Sequence, residues 1–167
     1  ATPHPAMYRT AIEQAAWADK LGFTQVFLAE HHGAEDGYCP SPMVQAASIF
    51  GATERINVHL SALVVTLHDP LRLAEDLAVL DNISNGRIWL TVGMGYRPHE
   101  FEMFGRDASK KLAMQTRALD VFKQAWTGEP FEFEGRTVRV TPRPVQPGGP
   151  KTHLRGARET SAERAIL

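Results

Sequence analysis

Glu30, His31 and His32 stand side by side directly after the apolar run Val26-Phe27-Leu28-Ala29. A carboxylate beside two imidazoles is a set that exchanges and orients protons near neutral pH. If residues 24–29 form a buried parallel strand, the three side chains emerge at its carboxyl end, where open α/β sheets and (β/α) barrels place ligands. Neighbours in extended chain point to opposite sides, so only one of the two histidines faces a given pocket and the pair does not share one metal ion. A structural reading stands beside the chemical one: a histidine hydrogen-bonded inside the loop, with Glu30 either holding a neighbouring imidazole or arginine or capping the next helix. His59 and His68 are further imidazoles, but no His-x-His or His-Glu-x-x-His spacing accompanies them, and no metal site is expected.

Three other stretches carry candidate chemistry. Gly93-Met94-Gly95-Tyr96-Arg97-Pro98 follows a strand-like run and invites comparison with the dinucleotide fingerprint, but Pro98 occupies the place of the third glycine, so a Rossmann site is not expected. What remains is room for a flat ring against backbone and a guanidinium fork at Arg97 for phosphate or carboxylate, or else a plain turn. Ser61-Ala62 put small side chains into the middle strand, either for a ligand to lie against or for packing beneath a helix. Asp81, Ser84 and Arg87 flank a turn and are expected to serve structure, as a cap and an ion pair. No nucleophile elbow is present, and Cys39 lacks the context of a catalytic thiol.

The elements that must position these groups follow from periodicity and punctuation. Tyr8, Ile12, Ala15, Ala16 and Leu21 predict an amphipathic helix over 7–21 that stops at Gly22. A strand over 24–29 follows, then a polar loop, and Ser41-Pro42 predicts an N-cap and first helical residue for a helix to about residue 53. Residues 56–65 form a second β-rich run. Asp69-Pro70 opens a helix with Leu73, Leu77 and Leu80 inward, Asn85-Gly86 turns the chain, and 87–93 is a third strand in which Ile88, Leu90 and Val92 alternate with Trp89 and Thr91. Helices and strands joined by short connections predict βαβ units and a parallel sheet. A long helix over 109–126, a hairpin over 131–140 around Gly135, a connector with Pro142, Pro144, Pro147 and Pro150, and a weakly helical tail complete the chain.

The 167 residues, 43% of them hydrophobic, suffice for one domain with a core. Eighteen basic against nineteen acidic residues give a formal charge of -1, with no basic stripe to attract nucleic acid or an anionic membrane. One cysteine excludes an internal disulfide and suits a reducing, cytoplasmic setting. Neither a leader of secretory type nor an apolar run of about 20 residues is seen, so a soluble protein with a small-molecule ligand is expected.

Four blocks, in this order, resemble the bacterial luciferase-like monooxygenase family: Leu21-Gly22-Phe23 through Ala29-Glu30-His31-His32 with Asp36-Gly37-Tyr38 and Ser41-Pro42; residues 68–76; residues 81–87; and residues 93–101 with Phe104-Gly105. Residues 126–129, 131–135 and 144–147 are similar to it as well. The likeness covers about residues 7–150, which sets a luciferase-like domain over 1–150 apart from an uncharacteristic segment over 151–167. It implies an α/β fold, a partial (β/α)8 TIM barrel with parallel strands and flanking helices, whose first strand and later strands are missing. A complete barrel takes about 250 residues and eight strands, so three consecutive strands would leave two open edges, and a piece of a longer protein, or a sequence with segments left out, is expected. The resemblance further implies a flavin-dependent monooxygenase that uses reduced FMN and O2 on a small organic substrate, supplied by a flavin reductase and assembled as a homodimer. The deazaflavin F420, and a non-catalytic flavin-binding relative, are the alternatives. By resemblance, His31 is the acid or base beside the flavin, with His32 and Glu30 shaping the same edge. Ser61 and Ala62 match a bulge where members often carry a non-proline cis peptide, Met94 stands where the luciferases proper have arginine, and Gly95 and Arg97 complete the cofactor edge.

Overall fold

The computed structural model describes residues 2–154. Helix α1 (His4–Lys20) starts a turn earlier than its apolar spacing indicates, because Pro5 in the first turn needs no intrahelical partner for a missing N–H. It is followed by β1 (Gln25–Leu28), α2 (Pro42–Ala52), β2 (Asn57–Val64), α3 (Pro70–Ser84), β3 (Ile88–Gly93), the short α4 (Pro98–Met103), α5 (Lys111–Ala125), the hairpin strands β4 (Phe131–Phe133) and β5 (Arg136–Val138), and β6 (Lys151–Leu154). Strands pair in the order β1-β2-β3-β6, all parallel, the arrangement that βαβ connections produce.

Side-chain alternation divides the sheet into two faces. Val58, Leu60, Ile88, Leu90 and Val92 are buried in one core with Ile49 and Phe50 of α2, Leu73 and Leu77 of α3, and Val121 and Phe122 of α5. Residues of the opposite parity, Phe27, His59, Trp89 and His153, put their rings together on the other face, with His59 centred 5.1 Å from Phe27 and 5.5 Å from His153. Burial beside His153 lowers the affinity of His59 for a proton.

The punctuation behaves as its chemistry requires at most ends. Asp69 accepts from the N–H groups of Leu71 and Arg72 at 3.0 and 2.9 Å and so caps α3, while Asn85 at φ 53° takes the left-handed conformation that ends it. Glu134 and Gly135, both at positive φ, make the two-residue turn of the hairpin. Three expectations need correction. Ser41 makes no side-chain cap bond; its carbonyl, accepting from the Gln45 N–H, opens the helix instead. Asp81 and Arg87 form no ion pair, since Asp81 takes the backbone and side-chain N–H groups of Gln146 and Arg87 binds carbonyls. The tail does not begin as a helix, because residues 151–154 pair with β3 as a fourth parallel strand; the remainder of that segment lies outside the described residues.

Asp19, at the end of α1, ties this helix to the start of β2. Its carboxylate accepts from the N–H groups of Glu54, Arg55 and Ile56 at 3.0, 3.1 and 2.6 Å. The Glu54 bond is the main cause that holds the carboxyl below its ordinary value of 3.8; burial opposes it, and the Ile56 and Arg55 N–H groups and the Arg55 charge add to it. A carboxylate depressed in the folded state contributes stability that is complete above its unfolded value, about 3.9, and is lost as the pH falls through the folded one. Asp19→Asn is therefore expected to destabilise the protein at pH 7, and the gap between wild type and variant in urea midpoint should close as the pH is lowered from about 5 to below 3. A gap that stays constant over that range would assign the loss to shape rather than charge.

Candidate functional site

Of the residues singled out for a ligand edge, Glu30, His31, Ser61, Ala62, Met94 and Gly95 line one cavity of about 430 Å³ at the carboxyl ends of β1, β2 and β3, while Arg97 and His32 do not. Ala29, Glu30 and His31 line it where β1 runs out, Ser61, Ala62 and Val64 where β2 does, and Gly93, Met94, Gly95 and Tyr96 where β3 does. The β2–β3 register shifts between Ser61 and Leu63, so that Ala62 has no partner opposite, and the Ser61–Ala62 peptide is cis. Such a bulge re-aims the strand end. Across from it, a Cβ on Gly93 would lie 2.9 Å from the Cβ of Ala62. Gly95 sits at φ +73°, and a Cβ there would meet Val64 Cγ1 at 2.9 Å and the Phe101 ring at 3.0 Å. No side chain fits at these two positions. Thr66 Oγ1 donates to the Met94 carbonyl at 3.0 Å and pins the loop.

Glu30 is the buried hub of the site. Oε1 accepts from His68 Nε2 at 2.7 Å and from His32 Nε2 at 3.0 Å, while Oε2 accepts from the Val64 N–H at 2.5 Å, just past the bulge. Of the two readings its sequence allowed, holding an imidazole is the one observed, and it holds two. His32 turns away from the cavity, buried with its ring edge-on to Phe104 at 4.6 Å. His31 takes the cavity side, with Tyr38 and Tyr96 centred 6.4 Å from its ring. Its Nδ1 is buried without a hydrogen-bond partner, 3.5 Å from Glu100 Oε1. Arg97 lies off the cavity wall, its Nε 3.3 Å from the Tyr96 hydroxyl and its guanidinium over that ring.

Two members of the site escaped sequence reasoning. His68 stood out in the sequence only as an isolated imidazole, and its bond to Glu30 crosses 38 positions of chain. Glu100, 1% exposed on the short α4, accepts the His32 backbone N–H at 3.0 Å, and nothing in its local spacing marks it. Cys39 donates to Gln45 Oε1 at 3.0 Å, and burial pushes its thiol up, the opposite of an activated nucleophile. Among the described residues, no group of three or more His, Cys, Asp or Glu is placed to hold a metal ion.

A parallel sheet flanked by helices, with a backbone-walled cleft and an imidazole at its strand ends, defines a (β/α)-barrel type of site. The chain belongs to the luciferase-like monooxygenase family, whose sequence model matches residues 1–166. It is 30% identical over 142 residues to the alkanal monooxygenase alpha chain of Photorhabdus laumondii, covering 82% of this chain and 40% of that one. Among solved structures it is similar to monooxygenase RslO1 from Streptomyces bottropensis, at 30% identity and a TM-score of 0.84, over 95% of this chain and 50% of the other. The oxygenating constituent of 3,6-diketocamphane monooxygenase from Pseudomonas putida, solved in complex with FMN, shares the fold at 23% identity and a TM-score of 0.76, over 91% and 46% of the two chains. The chain thus spans half or less of the length of these relatives.

Proposed function

We propose that this chain forms the strand-end half of the active site of a flavin-dependent monooxygenase, which uses reduced FMN and O2 on a small organic substrate and receives its reduced flavin from a reductase. The observation that carries the reading is the cleft between the β2 bulge and β3, where Gly93 and Gly95 admit no side chain and whose lining includes His31 with an unsatisfied buried nitrogen. These residues fit an isoalloxazine ring: Ser61, Ala62, Met94 and Gly95 offer backbone and small side chains to its face, and Glu30 fixes the bulge that shapes the wall. Bound there, reduced flavin supplies the electrons that activate O2. His31 gives or takes the proton at its imidazole, and His32 holds the chain beneath it through its bond to Glu30. Arg97, on the rim, is the cation available to an anionic group of the flavin or substrate. The domain responsible is taken as residues 1–150 with the β6 strand added, in a homodimer.

Anaerobic titration of the intact protein with reduced FMN, and separately with reduced F420, tests this. A saturable spectral change with FMN is expected; a response to F420 alone would move the protein to the deazaflavin reading, and a response to neither would end both. His31→Ala is expected to lower product formed per reduced flavin by about 10²-fold, the low end for a proton-transferring side chain, with FMN affinity and the circular dichroism spectrum unchanged. A loss of folding in that variant would make His31 a structural residue.

A further inference from the structure

We propose that Glu100 is the positioning residue of His31, selecting the imidazole tautomer that carries its proton on Nδ1 and so leaving Nε2 as a bare acceptor for the cavity. Three observations meet here. The His31 Nδ1 atom is buried and unpartnered, although a buried ring nitrogen ordinarily finds a partner. The nearest carboxylate oxygen, Glu100 Oε1, is 3.5 Å away, a separation that a small rotation of either side chain brings into hydrogen-bond range; such contacts commonly tighten when a site fills. Glu100 is itself held in place, since the same Oε1 accepts the His32 backbone N–H at 3.0 Å and the residue is 1% exposed. One oxygen therefore fixes the backbone after His31 and faces the ring of His31 from α4, an element on the far side of the cavity loop. The rings of Tyr38 and Tyr96 stand 6.4 Å away between centroids. A neutral imidazole presents a donor on one nitrogen and an acceptor on the other, so a carboxylate at Nδ1 decides which nitrogen serves the cavity.

The inference rests on the flavin reading only for its effect on turnover, because the contact is observable without flavin. The measurement is a long-range 1H–15N correlation spectrum of the intact protein labelled at histidine, recorded near pH 8.5 where an ordinary imidazole is about 99% neutral, with His31→Gln supplying the assignment. Wild type should show His31 with Nδ1 protonated and Nε2 bare. In Glu100→Leu the ratio of that tautomer to the other should fall about tenfold, as expected for loss of a charge-assisted hydrogen bond. Glu100→Gln, which keeps a neutral oxygen for the His32 N–H, should fall by a smaller factor, and it decides the matter if the leucine variant does not fold. A wild-type ring protonated on Nε2, or a ratio unchanged in both folded variants, would overturn the proposal. If the tautomer depends on Glu100 but wild type shows no spectral response to reduced FMN, the flavin reading fails and the positioning role stands.

Discussion

Glu30→Ala is expected to destabilise the fold by about 3–5 kcal/mol, because it strips the partner from buried donors. The Val64 N–H and His32 Nε2 both point at a carboxylate that is completely enclosed. Each buried donor left without an acceptor costs about 1–3 kcal/mol. His68, whose side chain is 25% exposed, can turn to solvent and adds little. The emptied volume adds a packing loss. Glu30→Gln keeps shape and one acceptor oxygen but sets an amide NH2 either against the Val64 N–H or against imidazole nitrogens that must change tautomer, so a smaller loss of about 2 kcal/mol is expected. Urea unfolding with an unchanged m-value reads both. A loss below about 1 kcal/mol in the alanine variant would mean that the loop rearranges and that the network is dispensable. The consequence for the site is direct, since Glu30 anchors the residue just beyond the bulge: on the proposed function, a variant that folds should still bind reduced flavin more weakly than wild type.

The features legible in the sequence are those that local chemistry imposes. Runs such as Ile88 to Val92 announce a buried strand by composition alone, Asp69-Pro70 and Asn85-Gly86 announce the limits of α3, and small residues at two neighbouring strand ends mark the cleft. Side-by-side histidines on opposite faces likewise follow from backbone geometry, and the structure divides His31 and His32 that way. What escaped depends on partners far along the chain. The β6 segment Lys-Thr-His-Leu has no alternation of its own and follows Pro150; only pairing with β3, some sixty residues earlier, makes it a strand. Glu100 reaches His32 from 68 residues away, and the link from His68 to Glu30 spans 38. The pairing of Asp81 with Arg87 failed for a related reason. Opposite charges six residues apart suggest an ion pair, but helix α3 ends between them, and the carbonyls freed at that end and at the end of α2 attract the guanidinium more directly.

Arg87→Ala should accordingly cost about 3 kcal/mol, with no contribution from Asp81. Arg87 Nε donates to the Ser84 carbonyl at 2.8 Å, Nη1 to Thr53 Oγ1 at 3.0 Å and the Ile56 carbonyl at 3.1 Å, and Nη2 to the Thr53 carbonyl at 3.2 Å. Its Cζ lies 4.9 Å from the centre of the Phe50 ring. A single fork thus joins the ends of α2 and α3 to the approach to β2. Burial lowers its proton affinity, but a guanidinium remains charged. Lysine carries three donors on one flexible point and cannot span these acceptors, so Arg87→Lys should recover only about 1 kcal/mol of the loss. The decisive comparison is a double-mutant cycle with Asp81→Ala. Asp81 bonds Gln146, and the two side chains share no partner, so their effects on urea stability should add to within about 0.5 kcal/mol. A coupling of 1 kcal/mol or more would restore the ion pair that the charges suggest, whereas additivity assigns the effect to the acceptors gathered at two helix ends and to the Phe50 ring.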